Sequence, residues 1–306
     1  MKVTVIGGTG FVGSHLIDRL LEDGHTPHLL VRPGSESKVE RAEACRLIPG
    51  DISDEAALER SLAGCDAVIY LIGILREERQ RGITFDELQR AGVERTIAAA
   101  RRGGVNRFLL MSANGVDADE TPYQRTKRRA EEALATSGLD GTVFRPSVIF
   151  GDPRGRMEFC SQLKQDIIDS PLPAPLFFDG LAVSSAGQFE LAPVSVEDVA
   201  AAFSRSLSDE ATIGGTYPLC GPDAFTWKEI LTIIAASSGK TKLMLPAPAI
   251  AIKTVAALFD RWPWFPITRD QIQMLLAGNT CDSDAIFAQL GITPARFDVD
   301  ALSYLD

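Results

Sequence analysis

Histidine is scarce in this chain. Its three histidines, His15, His25 and His28, all fall within the first 28 of 306 residues. Hydrolysis on a histidine base and zinc chemistry are therefore poor fits. Cysteine is sparse as well. Cys45, Cys65, Cys160, Cys220 and Cys281 stand far apart, which excludes a short-spaced zinc motif and offers no disulfide framework. Reduced, buried thiols in a cytoplasmic protein are the expectation. There is no surplus of cations: the net charge is −10, the wrong sign for a non-specific nucleic-acid surface. No apolar run reaches the roughly 18 residues needed to span a membrane. The chain opens directly in a strand pattern, so no signal peptide is expected. Repeats and low-complexity tails are missing too. What remains, with 45% hydrophobic and 24% charged residues, is the composition of an ordinary globular protein with one large α/β domain and a smaller addition.

The first thirteen residues, MKVTVIGGTGFVG, carry the strongest signal. Val3, Val5 and Ile6 read as a buried strand. The run breaks into Gly7-Gly8-Thr9-Gly10-Phe11-Val12-Gly13, and Ser14 to Glu22 follows at helical spacing. Strand, glycine turn and helix in that order suit a nucleotide pyrophosphate. Gly7 permits the turn, Gly10 lets backbone approach the phosphates, and Gly13 lets the helix pack on the strand. The helix N-terminus then presents N–H groups and a partial positive charge to the anion. The G-x-x-G-x-x-G spacing resembles the short-chain dehydrogenase/reductase (SDR) superfamily, which implies NAD(H) or NADP(H) binding.

Strands and helices alternate through the first half. Strands are expected at Thr26 to Val31, Arg46 to Ile48, Ala67 to Ile72, Arg107 to Met111 and Thr142 to Arg145. Helices are expected at Asp54 to Leu62, Phe85 to Arg101 and Tyr123 to Thr136. The pattern predicts an α/β fold with a doubly wound parallel Rossmann sheet over residues 1–151. A small mixed C-terminal substrate lobe, residues 152–306, would return several times to the main domain. Prolines 171, 173 and 175 introduce a loop-rich stretch from Leu176 to Leu191. Helices are expected at Val199 to Leu207 and, capped by Thr226 with Glu229, at Thr226 to Ser238, with a short strand at Thr216 to Leu219.

The second strand runs into Arg32-Pro33-Gly34-Ser35. A carboxylate here would favour NAD(H). Arg32, with Ser35 as an added donor, suits a 2′-phosphate, so NADP(H) is the preferred cofactor and NAD(H) the alternative. Arg32 could equally stack on adenine or lie solvated. The SDR resemblance places Asp51 and Ile52 at the adenine, Leu71 and Ile72 along the cofactor, and Gly73 over the nicotinamide ribose. Asp51 could instead cap the next helix, a task open also to Ser53 or Asp54.

Met111-Ser112-Ala113 closes the fifth strand, and Tyr123-Gln124-Arg125-Thr126-Lys127 follows eleven residues after Ser112. Tyr123 and Lys127 share one helix face. By the resemblance, Ser112 positions the substrate oxygen, Tyr123 transfers the proton, and Lys127 lowers the tyrosine pKa and holds the ribose. A basic helix start leaves a solvated Lys127 as the other reading. Extended SDR enzymes have roughly twice this interval, because their active-site loop is longer. Pro146, Ser147 and Val148 match the family segment where backbone passes the nicotinamide. Pro193 to Ala200 resembles the architectural P-V-x-V-x-D-V-A stretch, in which Asp198 would cap a helix. No metal is called for.

Pro266 to Ile272, Asn279 and the Trp-bearing segment Ala247 to Phe265 are similar to an atypical SDR branch. That branch holds the NADPH-carrying accessory subunit of respiratory complex I, free-standing bacterial relatives and an SDR-like protein tied to ubiquinone biosynthesis. Two functions follow. One is an NADP(H)-dependent oxidoreductase acting on a small carbonyl or quinone-like molecule. The other is a non-turnover NADP(H)-binding structural or assembly factor for a respiratory or ubiquinone-pathway complex. Nucleotide-sugar conversion ranks third, for want of a basic clamp on a diphosphate. Residues 157–191 and the helix after Thr226 would line the substrate pocket. The segment Ala247 to Phe265 reads first as a core helix and second as a peripheral membrane contact at the inner face. Monomer and dimer both stay open, and the charged helices lean toward monomer.

Overall fold

The computed structural model describes residues 1–178, 180, 182–250 and 268–306. The described chain forms two compact units. The first comprises Met1–Pro146, Val196–Leu219 and Ser283–Thr293; the second comprises the described parts of Ser147–Ser195, Cys220–Asp282 and Pro294–Asp306.

The first unit is built on a parallel sheet. Its strands are β1 (Lys2–Ile6), β2 (Thr26–Val31), β3 (Arg46–Pro49), β4 (Ala67–Tyr70), β5 (Arg107–Met111), β6 (Asp140–Pro146) and, after a return of the chain, β7 (Thr216–Leu219). The order is β7-β6-β5-β4-β1-β2-β3, and every ladder is parallel. The sequence of connections reverses at β1, between β4 and β2, which opens a crevice at the carboxyl ends of β1 and β4. Helix α1 (Phe11–Glu22) packs against α5 (Val196–Ser206), while α2 (Glu55–Leu62), α3 (Gly92–Gly103) and α4 (Pro122–Ala135) pack in a row.

Alternation along β1 explains the two layers. Ile6 joins the core beneath α2, α3 and α4, and Thr4 donates a hydrogen bond to the Ser61 carbonyl of α2. Val3 and Val5 are fully buried as well. Strand β4, Ala-Val-Ile-Tyr, is fully buried, as its apolar run predicts for a strand covered on both faces. It ends at Tyr70, two residues earlier than its apolar run. The Phe85 to Arg101 segment does not form one regular helix. A π-helical turn, Asp86–Ala91, precedes α3. There the Tyr70 hydroxyl donates to the Leu88 carbonyl at 2.5 Å, and such an inserted side chain widens the helical ladder. At the start of β5, buried Arg107 donates to the Asp140 and Ser206 carbonyls and to the Thr142 and Thr212 hydroxyls at 2.6–2.8 Å, tying β5, β6 and α5.

In the second unit, α6 (Trp227–Ser237) is capped by Thr226 with the expected capping box to Glu229. The Trp227 indole donates to the Pro175 carbonyl at 2.9 Å and stacks on Phe177 and Phe189. Three expectations are corrected. Leu176, Phe177 and Phe178 are not loop but complete a strand, Ala174–Phe178, paired in parallel with Met244–Pro248. Proline is tolerated because both strands of that small sheet are edges. Asp198 does not stand ahead of the helix as expected: α5 begins at Val196, which places Asp198 within its first turn. The third correction concerns the thiols. Cys45, Cys65 and Cys160 are free, but Cys220 and Cys281 form a disulfide, Cα–Cα 5.7 Å, across 61 residues. The Ala192 backbone joins them, accepting from Gly221 N–H and donating to the Asn279 carbonyl. Tertiary pairing thus makes neighbours of cysteines that spacing separates.

No helix among the described residues is long and apolar enough to cross a membrane. The segment expected as a core helix or interfacial contact, and with it Pro266 and Ile267, lies for residues 251–267 outside the described residues.

A 61-residue loop gives the Cys220–Cys281 link about 4 kcal/mol of chain-entropy stabilisation. Cys281→Ser should lower the thermal midpoint in oxidised buffer, and a dithiol should reduce wild type to the same midpoint. Equal melting of oxidised wild type and variant would contradict this.

Candidate functional site

Gly7 ends β1 in the left-handed region, φ 96°, where a side chain would be strained. Its N-terminal strand leads the chain under Ile72, whose side chain lies 3.2 Å from where a Gly7 methyl would project. The Gly10 N–H donates to the Gly7 carbonyl at 3.0 Å, closing the turn. Gly10 is the N-cap of α1 without a side-chain cap, and no acid occupies the first turn. The first N–H groups of α1 thus meet an anion without a competing carboxylate. A methyl at Gly13 would collide with the Gly7 carbonyl and the Gly8 backbone. Thr9 and Phe11 are half-buried in this turn, and Val12 is buried.

The ends of β2 and β3 lie beside it. Arg32 is exposed just past Val31, and its carbonyl accepts from the Ser35 N–H at 2.9 Å in a tight turn. The Gly50 N–H donates to the Val31 carbonyl, which sets Asp51 next to that turn. Asp51 accepts from the Ser53 N–H and hydroxyl, both 3.0 Å. Asp54, not Asp51, caps α2, accepting from the Ala57 N–H at 3.0 Å. Ile52 is buried, and its carbonyl takes the Arg95 guanidinium at 2.9 Å.

Lys127 is not part of a solvated face. It is 3% exposed, and its Nζ donates to the Met111 carbonyl at 2.8 Å and the Ile72 carbonyl at 3.3 Å. Those carbonyls lie at the ends of β5 and β4, so one ammonium bridges both strand ends. Gly73 covers it: a methyl there would stand 3.4 Å from Nζ. Leu71 is buried, with its N–H on the Ile6 carbonyl. Burial pushes the Lys127 pKa down to about 8, opposed by the charge of Glu131 one turn further along α4.

Ser112 extends the β5–β6 ladder, its N–H donating to the Phe144 carbonyl at 2.7 Å. Its hydroxyl is buried and has no hydrogen-bond partner among the described residues. An orphaned buried hydroxyl loses free energy unless a ligand completes it. Helix α4 begins at Pro122, one residue before Tyr123, with Thr121 as N-cap in a capping box with Gln124. Gln124 also donates to the Gly115 carbonyl at 2.8 Å, so the eleven-residue interval closes as a compact turn. Tyr123 packs edge-on to Phe85, centroids 5.8 Å apart, and burial pushes its pKa up to about 12, which corrects the expectation that Lys127 lowers it.

Pro146 ends β6, and its carbonyl accepts from the Asn114 N–H at 2.9 Å. Ser147 and Val148 begin the second unit, where the Ser147 hydroxyl donates to the Asn279 carbonyl at 3.0 Å. The first unit therefore gathers the glycine turn, Leu71 to Gly73, Ser112 and Lys127, with Arg32, Ser35 and Asp51 along the same strand ends. The backbone acceptors of Ile72 and Met111 are functional groups that residue types could not reveal. Glu131 was also missed, although its i, i+4 spacing from Lys127 is readable. Among the described residues no cluster of His, Cys, Asp and Glu could hold a metal ion.

The site fits a dinucleotide on its own geometry: a side-chain-free turn, an uncapped helix start, and an orphaned hydroxyl beside a buried cation. Comparison with known proteins agrees. Residues 7–167 match the NAD(P)H-binding family. The chain is 26% identical over 95% of its length to the NADH-ubiquinone oxidoreductase 40 kDa subunit of Neurospora crassa, covering 75% of that protein. It is 28% identical over 85% of its length to a ceramide reductase of Caulobacter vibrioides, covering 78%. The photosystem II assembly factor Ycf39 of Synechocystis is 23% identical over 96% of this chain and 86% of its own. In fold, the chain resembles UDP-glucose 4-epimerase of Thermus thermophilus with NAD, TM-score 0.74 at 19% identity over 100% of this chain and 97% of that one. The chain belongs to the NAD(P)H-binding family and, within it, is an atypical SDR-like protein.

Proposed function

We propose that the chain is an NADP(H)-dependent reductase of a small carbonyl or quinone-like substrate. The observation that carries this reading is the buried, unpartnered Ser112 hydroxyl next to the Met111 carbonyl that holds Lys127. In this reading the turn from Gly7 to Gly13 receives the pyrophosphate on backbone N–H groups. Arg32 and Ser35 take the 2′-phosphate, Asp51 and Ile52 the adenine, and Leu71, Ile72, Gly73 and Lys127 the nicotinamide ribose. Nicotinamide, when bound, supplies the hydride. Ser112 donates a hydrogen bond to the substrate oxygen and so fixes its position. Tyr123 gives that oxygen a proton from its hydroxyl. A tyrosine held up at about 12 stays protonated across neutral pH, the form an acid needs in the reductive direction.

A second reading is a non-turnover NADP(H)-binding protein with a partner in a respiratory or quinone-pathway complex, at the inner face of a membrane. The names of the Neurospora and Synechocystis relatives and the short Ser112–Tyr123 interval favour it.

Purification without added nucleotide, followed by denaturation and analysis of what is released, separates the two. Reversible NADPH binding with turnover on a carbonyl and quinone panel supports the reductase. Stoichiometric retained NADP(H) with no turnover supports the second. For the reductase, Tyr123→Phe should lower kcat by about 10²-fold or more while NADPH binding survives. Arg32→Asp should weaken NADPH about tenfold or more relative to NADH; an unchanged ratio would remove Arg32 from the 2′-phosphate. Because the Lys127 pKa is depressed to about 8, its charge is full well below that pH and lost above it. NADPH affinity should therefore fall as pH rises through about 8, which titration of Kd would show.

A further inference from the structure

We propose that Glu131, clamped by Arg145, is the fixed counter-charge that keeps the buried Lys127 cationic, and is thus a positioning residue for the nucleotide end of the site. The inference rests on the reading of Lys127 given above for its consequence, but not for its electrostatics.

Glu131 is 8% exposed and lies one helical turn beyond Lys127 on the same face of α4. Its carboxylate is not free to turn away. Arg145, from β6, reaches one oxygen with Nε at 3.0 Å and the other with Nη2 at 2.6 Å. The same guanidinium holds both oxygens of Asp117, at 2.6 and 3.1 Å. Two carboxylates thus surround one guanidinium, and the group reaches neutrality when the Lys127 ammonium is counted. A buried ammonium bonded only to neutral carbonyls is disfavoured by desolvation, and a nearby fixed anion offsets that penalty.

The other groups around Lys127 do not supply that anion. Tyr123, on its own helix, is neutral with its pKa pushed up. The ends of β4 and β5 offer the Ile72 and Met111 carbonyls and the Ser112 hydroxyl. Across α4, Asp86 and Glu94 are both taken by Arg90, and Glu87 by Arg95. On α4 itself Glu132 is paired with Arg128. Glu131, buried one turn along the same face of α4, is the remaining carboxylate placed to act on Lys127.

The test is direct observation of the ammonium. The full chain, labelled with 15N-lysine and free of nucleotide, gives a Lys127 Nζ resonance identified by its loss in Lys127→Arg. Its titration is followed from about pH 6 to about pH 10. Glu131→Gln should move the midpoint down by about one pH unit. That variant leaves Arg145 on Asp117. If it does not fold, the double variant Glu131→Gln/Arg145→Gln removes both members of the clamp together, so that neither is left as an unpaired charge, and should show a smaller shift in the same downward direction, because the opposing guanidinium charge is lost with the carboxylate. An unmoved midpoint in either folded variant overturns the inference, since a merely structural clip would not shift it. NADPH affinity measured in parallel keeps the two readings apart. A midpoint that moves while affinity at each pH stays at the wild-type value upholds the counter-charge and removes Lys127 from the nucleotide.

Discussion

The close approach of α1 to the end of β1 is the constraint on which the site depends. At Gly13 the helix backbone lies so near the Gly7 carbonyl and Gly8 that no methyl group fits. This contact aims the uncapped start of α1 into the crevice where the sheet order reverses. A helix displaced by even one side chain would carry its N–H groups away from that crevice. The positive φ of Gly7 and the Gly10-to-Gly7 hydrogen bond serve the same end.

The second organising element is the Lys127 ammonium. It bonds two backbone carbonyls at the ends of adjacent parallel strands, so it both pins the crevice and places a cation within it. Burial alone would tend to neutralise such a group. The Arg145, Glu131 and Asp117 set opposes that tendency and also ties α4 to β6 and to the turn after β5. One ion-pair cluster therefore couples the geometry of the site to its charge. The raised pKa of Tyr123 belongs to the same balance, because the burial that weakens Lys127 as a cation also keeps the phenol protonated.

The second unit is held differently. Its sheets are two-stranded and cannot bury both faces of a strand, so its cohesion comes from a core around Trp227 and from the Cys220–Cys281 link. Both devices join segments remote in the chain. Trp227 caps its stacking with a hydrogen bond to Pro175, and the disulfide brackets the Ala192 backbone.

Much of the first unit was legible because its signals are local. Alternating apolar strands, the glycine spacing and the capping residues act over a few residues, and they determined the parallel α/β fold, the position of the turn and the end of the β5 strand just before Ser112. Tyr123 and Lys127 on one helix face were equally readable. Tertiary structure alone decided the rest, for the reason that burial and long-range pairing are properties of neighbours distant in sequence. Lys127 could have been a surface cation in a basic run until Ile72 and Met111 enclosed it. Asp51 and Asp54 were equivalent candidates for a cap until backbone geometry chose Asp54. The strand at Ala174–Phe178 was hidden by its prolines until a partner strand supplied the pairing, and Cys220 and Cys281 were two scattered thiols until the fold brought them together.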